Sequence, residues 1–306
     1  MIKIFFIPRL LVVFLLCLAG ARATMAQQAD SLITHGITDT SAQLKLVKDG
    51  FRFTEGPAVD REGNIYFTDQ PNNRIWKYDI KGELTIFMEN AGRANGLFFD
   101  KKGNLIACAD EHDELWRIQK NGKVEKLVNN YQDTLLNGPN DVWVAPTGVI
   151  YFTDPYYQRD YWKRTSPDLK VEALYSYQEN GKVTRLDANF KRPNGIIGTP
   201  DGKYLYVADI DDNKTYQYTI QKDGSLTNKT LFVAQGSDGM TIDRAGNLYL
   251  TGNGITVYNT RGEKIAHIPV PNRTSNVCFG GKQRDLLFIT ARDKVFTLKM
   301  NVKGVK

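Results

Sequence analysis

The sequence predicts an all-β protein, a six-bladed β-propeller with a central metal site, and three observations carry that expectation. A turn-flanked β pattern recurs along the chain as DREGNIYFTD (60–69), DKKGNLIACAD (100–110), APTGVIYFTD (145–154), TPDGKYLYVAD (199–209), DRAGNLYLTG (243–252) and GGKQRDLLFITA (280–291). Ahead of each stands a short apolar run that begins beside a side-chain oxygen: Glu55, Asn95, Asn140, Asn194, Asp238 and Asn276. These anchors are 40, 45, 54, 44 and 38 residues apart. Repeats of about 40–50 residues with roughly four strands each have the period of propeller blades.

Each element follows from local chemistry. Gly, Asn and Asp turns between apolar or alternating runs signal hairpins. A third run often follows, as in RIWKYD, ELWRIQ, ALYSYQ, TYQYTI and ITVYN. The segment AQLKLVKDGFRF (42–53) precedes the first anchor and is expected to supply the outer strand of the sixth blade, closing the ring. No linker or composition shift marks a second domain, so residues 42–306 read as one propeller. With 306 residues, 42% of them hydrophobic, the chain can bury the core such a domain needs.

Upstream, residues 1–26 read as a secretory signal peptide: a basic start, an apolar stretch from Leu10 to Ala19, then small residues suited to cleavage after Ala23 or Ala26. That stretch is shorter than the ~20 residues of a membrane helix. Residues 27–41 form a polar lead, and the expected location is the periplasm or the exterior. Cleavage would take away Lys3, Arg9 and Arg22 and no acid, lowering the formal charge from +6 to +3. A balance that weak does not argue for nucleic acid, and no membrane partner is expected after cleavage. Cys108 and Cys278 would remain, both in strand-like runs, and are expected to be buried free thiols.

Equivalent positions at the starts of innermost strands should face one another across a propeller's channel. The six anchors would then form a ring of oxygen donors. Two carboxylates and several amide carbonyls suit a hard divalent cation, Ca²⁺ above all, which takes six to eight oxygens in irregular geometry. Mg²⁺, Mn²⁺ and Zn²⁺ remain open, although a ring without His or Cys disfavours zinc. Without a cation, Glu55 and Asp238 should repel and raise a pKa.

Around the ring, Asp69, Asp110, Asp154 and Asp209 end the second run of their units and are expected to accept backbone hydrogen bonds; Asp154 is the one best placed to face the site as well. Arg93 could point its guanidinium into the mouth, whereas His112 sits beside a turn. The long 54-residue step owes its excess to PYYQRDYWKRTSPDLKVE (155–172). Strand polarity puts this insertion on the same face as the anchors, where it reads as a solvated loop or a lid. No phosphate loop, CxxC pair or GxSxG turn is present.

The motifs TEGP, RANG, PND followed by YFTDPYY, RPNG, SDGM and SNVCFGG, in this order and spacing, resemble the family of senescence marker protein, gluconolactonase and luciferin-regenerating enzyme. The resemblance covers roughly residues 43–298 and is strongest to exported bacterial gluconolactonase-type members. It implies a six-bladed propeller with one divalent metal, often calcium, held by Glu55, Asn140, Asn194 and Asp238. Asp238 also matches the proposed acid/base residue, and Arg93 and Asn95 fall among the substrate contacts.

The function so implied is hydrolysis of a small-molecule sugar lactone to its aldonic acid, with the metal as Lewis acid and Asp238 as general base. Tyr156 and Tyr157 would flank the sugar ring. Two other readings stand beside it: hydrolysis of a phosphotriester or another ester at the same metal, and a non-catalytic propeller that uses calcium structurally.

Overall fold

The computed structural model describes residues 36–38 and 41–305. The proposed signal peptide, and most of the lead that follows it, lie outside them. Six antiparallel sheets follow one another along the chain. Four of them are sequential four-stranded blades: Thr54–Val59 to Leu84–Glu89, Ala94–Phe99 to Val124–Val128, Val142–Val144 to Val183–Asp187, and Pro193–Gly198 to Leu226–Val233. In each the first strand of the unit lies innermost, next to the corresponding strands of its neighbours.

The fifth blade differs from expectation. The runs LYLTG and ITVYN fall in one assigned strand, Leu248–Tyr258, so this sheet has three members. The first part of that strand pairs with Met240–Ile242 and the later part with Lys264–Arg273. Gly254, at φ 78°, lies at the irregularity of the second pairing, between Asn253 and Ile255.

The sixth blade joins the first and the last strands of the described residues. Its sheet order places Lys45–Lys48 outermost, beside Lys294–Lys299, with Leu286–Ala291 and Asn276–Gly280 inward. Lys45 lies opposite Thr297 and Leu46 opposite Phe296. Thr54 N–H donates to the Arg292 carbonyl at 2.7 Å where the chain passes from this outer strand into the first blade. The ring is therefore closed by β-pairing, as the sequence predicts.

Between blades the core is aromatic and aliphatic. Phe67 meets Phe288, Tyr66 meets Phe99, and Tyr249 meets Phe279, with centroids 5.3, 5.0 and 5.1 Å apart. Each pair joins neighbouring blades, and burying a ring of this size contributes roughly 1.5–3 kcal/mol. Threonine hydroxyls clip the same seams nearer the axis: Thr68 donates to the Asn95 carbonyl at 3.1 Å and Thr153 to that of Asn194 at 2.8 Å. Cys108 and Cys278 are buried free thiols in different blades. Among the described residues, no helix is long and apolar enough to cross a membrane.

Deleting the chain through Lys48 should bare the edge of the strand Lys294–Lys299. A loss of about 3 kcal/mol or more in urea unfolding is expected from the backbone hydrogen bonds alone, with a greater tendency to associate through the open edge. Unchanged stability would mean that the outer strand does not close the ring.

Candidate active site

The six anchors meet at the axis because the inner strands approach more closely than a Cβ allows. A methyl group on Gly56 would stand 2.1 Å from the Asn95 carbonyl oxygen, and one on Gly96 2.6 Å from that of Asn140. One on Gly195 would stand 2.8 Å from the Asp238 carbonyl oxygen, and one on Gly239 1.9 Å from Asn276 Cγ. Two side-chain contacts complete the circuit: Asp141 Oδ2 accepts the Ile196 N–H at 3.4 Å, and Asn276 Nδ2 donates to Glu55 Oε2 at 3.1 Å.

Oxygen remains available inside this circuit. Glu55 Oε2 also accepts the Gly56 N–H at 2.9 Å, and no hydrogen bond is made to its Oε1 among the described residues. Asn194 Nδ2 donates to the Tyr157 hydroxyl at 2.8 Å, which leaves its Oδ1 unengaged. The Asn95 and Asn140 side chains make no hydrogen bond with the described residues, although both are buried. Five anchors are buried, whereas Asp238 keeps partial access to solvent.

The electrostatics follow from this packing. Burial, the Asp238 charge and then the Asp141 charge push the Glu55 carboxyl well above its ordinary range, against the hydrogen bonds from Gly56 and Asn276. Burial also raises Asp238, to about 6, with Arg273, the Asn194 amide and Arg159 acting in the opposite direction. Asp141 is a third carboxylate at the axis, pushed up to about 7 by burial and by Asp238. Sequence reading passed over it. The signal was available, because Asn140 is followed by an acid where Asn95, Asn194 and Asp238 are followed by glycine.

The second row of aspartates holds the approach to the ring. Asp69 Oδ1 accepts the N–H groups of Arg52 and Phe53, Asp154 those of Asn137 and Gly138, and Asp209 those of Lys191 and Arg192. Each carboxylate thus fixes the segment just before the anchor of its own blade. Asp154 is wholly buried and its two oxygens are spent on these bonds, so it does not face the site.

Asp110 acts differently, accepting Gln70 Nε2 at 3.0 Å, Arg159 Nε at 2.8 Å and the Tyr161 hydroxyl. It ties the insertion to the second blade.

The insertion brings Tyr157, through Asn194, to the ring. The Tyr156 ring instead stacks on Trp162, with centroids 5.9 Å apart, and its hydroxyl bonds to Gln158. Arg93 also serves the insertion: its Nη1 donates to the Pro71 carbonyl at 2.5 Å and its guanidinium lies 4.4 Å from the Tyr161 ring centroid. His112 stacks on Trp116, 5.4 Å away, and belongs to the blade surface.

A donor set of two carboxylates and unengaged amide oxygens fits a hard divalent cation. Among the described residues, no group of three or more His, Cys, Asp and Glu could hold a metal ion. A cation at the axis would therefore depend on asparagine oxygens beside Glu55 and Asp238.

The pattern of the family SMP-30/Gluconolactonase/LRE-like region matches residues 53–293. The chain belongs to this family. A gluconolactonase of Zymomonas mobilis is 28% identical over 301 residues, covering 88% of this chain and 84% of that protein. A diisopropyl-fluorophosphatase of Loligo vulgaris is 26% identical over 221 residues, covering 63% of this chain and 70% of that protein. Among solved structures, a gluconolactonase from Xanthomonas campestris superposes with a TM-score of 0.80 at 27% identity, covering 85% of this chain and 90% of that chain.

The raised carboxylates set a pH dependence. An acid with a higher pKa in the folded than in the unfolded chain makes the folded chain bind more protons, so stability falls as pH rises between the two values. In the presence of chelator, stability should therefore decline from about pH 4 to above pH 6 through Glu55 and Asp238. Glu55→Gln should flatten that decline by on the order of 1–3 kcal/mol. Denaturant titrations at pH 5 and pH 7.5 measure it, and equal slopes in the two proteins would show that the pair is not under charge strain.

Proposed function

We propose that this protein is a divalent-cation-dependent lactonase acting on a sugar lactone, exported from the cell after removal of residues 1–26. The observation that carries the reading is the closed circuit at the axis. It gathers Glu55, Asn140, Asn194 and Asp238 with oxygens unspent, in a chain whose relatives include gluconolactonases.

Glu55, Asn140, Asn194 and Asp238 would hold the cation, with Ca²⁺ the best match to so oxygen-rich a set. When bound, it supplies Lewis acidity that stabilises the oxyanion formed as water adds to a lactone carbonyl. The remaining work belongs to the side chains. Asp238 is the anchor with solvent access, so its carboxylate can take a proton from the attacking water and return it to the departing ring alkoxide. A carboxyl raised towards neutrality is better matched to both transfers than an ordinary aspartate.

Tyr157 fixes the Asn194 amide by accepting from its Nδ2, which keeps Oδ1 directed to other partners. Asn95, with an unengaged amide, is suited to a substrate hydroxyl. Arg93 contributes by holding Tyr161, and Tyr156 by packing the insertion that walls the mouth.

The test is lactone hydrolysis by the chelated mature protein before and after addition of Ca²⁺, Mg²⁺, Mn²⁺ or Zn²⁺. Activity should return with one of them, calcium first. Asp238→Asn should lower kcat by about 100-fold or more while retaining a cooperative unfolding transition. Full activity in that variant would remove Asp238 from the chemistry.

The similarity to the diisopropyl-fluorophosphatase of Loligo vulgaris favours a second reading, phosphotriester hydrolysis, which the same assay addresses with a fluorophosphate in place of the lactone. Export is checked separately by N-terminal sequencing of protein recovered from outside the cytoplasm, where the first residue should be Thr24 or Gln27. An intact Met1 would refute cleavage.

A further inference from the structure

The mouth of the site carries cationic groups that the chemistry at the axis does not use. Arg159 comes from the insertion of the third blade. Its Nε is bound to Asp110 at 2.8 Å and its guanidinium stands 5.4 Å from the Tyr157 ring centroid. The hydroxyl of that same tyrosine accepts from Asn194 of the ring. The Arg159 guanidinium is thus one aromatic ring away from an anchor, and its terminal nitrogens make no hydrogen bond with the described residues. Arg192 covers Tyr157 as well, at 4.9 Å, but is paired with Asp211 at 3.0 Å.

Arg273 comes from the fifth blade. It ends the strand Lys264–Arg273, opposite Asn253, three residues before the anchor Asn276. Its side chain is exposed and makes no ion pair or hydrogen bond with the described residues. Arg159 and Arg273 are the two cationic groups that act electrostatically on Asp238. One is bound to a buried carboxylate and the other is exposed, and each offers the planar donor fork that suits an anionic oxygen pair.

We propose that Arg159 and Arg273 form an anion-recognition site at the mouth, which selects lactones bearing a second, negatively charged group, a carboxylate or a phosphate, remote from the ring ester. The lactone part of this statement rests on the function proposed above; the anion site rests on the two arginines. Without them, the carboxylates at the axis would disfavour an anionic substrate. With them, its charge is met at the rim before the ester reaches the ring.

The test compares kcat/KM for three probes: gluconolactone, which is neutral, glucarolactone, which adds a carboxylate, and phosphogluconolactone, which adds a phosphate. The metal-loaded wild type should prefer one of the anionic probes, and which one it prefers identifies the group. Arg273→Met should lower kcat/KM for that probe by about tenfold, mainly through KM, and change the neutral lactone by much less. Added salt should shrink the difference.

Arg159→Met should act in the same direction. Arg159→Lys, which keeps a charge, should recover part of the loss and so separate recognition from a displaced insertion. A wild type that prefers the neutral lactone, or an Arg273→Met that lowers all three probes alike, would overturn the proposal. If no lactone is turned over, the lactonase reading fails by itself, and calorimetric binding of glucarate decides the anion site. Binding to the wild type with loss in Arg273→Met would support the site, whereas no binding, or equal binding by both proteins, would sink it.

Discussion

The close approach of the inner strands around one axis is the constraint on which the rest of this structure depends. A glycine after an anchor is not a turn residue here; it is the place where the next blade's backbone or side chain occupies the space a Cβ would need. Once four such contacts and two side-chain bridges close the circuit, five of the six anchor side chains are buried inside it. They must either bond to one another or share something between them. Glu55 with Asn276, and Asn194 with Tyr157, take the first course, while Asn95 and Asn140 keep their amides unspent.

The scaffold is nearly six-fold, but the site is not. A repeat can place equivalent oxygens on a ring, and the long insertion of the third blade, which reaches Asn194 through Tyr157, breaks that symmetry. Its attachment shows how a repeated position can be given a new task. Asp69, Asp154 and Asp209 bind backbone N–H groups of their own blades, whereas Asp110 turns to Arg159 and Tyr161. The second blade thereby gives up an internal brace and gains a grip on its neighbour's loop. Guanidinium–ring contacts extend that grip, as Arg164 over Trp162 at 4.0 Å and Arg93 over Tyr161 at 4.4 Å show.

What the sequence disclosed was what repeats. The six blades, the closing strand near Lys45 and the register of the anchors were legible because each depends on local turn chemistry at a steady period. The details that escaped are those that break the repeat. Asp141 stands where four other units have glycine, and its partner, the Ile196 N–H, lies in another blade. Tyr156 and Tyr157 are neighbours that point to different surroundings, a choice made by Trp162 and Asn194 and not by the YY pair itself. Arg93 reads in the sequence as a candidate to point into the mouth, whereas its guanidinium is engaged by Pro71 and Tyr161. The fusion of two runs into Leu248–Tyr258 likewise reflects pairing with two different partners, which no single run encodes.

Buried like charges are costly, and this protein keeps three carboxylates near one axis where asparagine already serves at neighbouring positions. If the anchors had only to close the ring, amides would do so without repulsion, as Asn276 does by donating to Glu55. The carboxylates therefore make sense as a set whose mutual repulsion is to be relieved by something positive. Their placement is graded. Glu55 and Asp141 are buried and hydrogen-bonded to their own strands, and Asp238 alone is partly open to solvent and is acted on by the charges of Arg159 and Arg273. Burial raises Asp238 towards the pH at which a carboxyl transfers protons efficiently. On the function proposed above, the arrangement that strains the protein without a cation would prepare one carboxylate, and not its neighbours, for proton exchange with water.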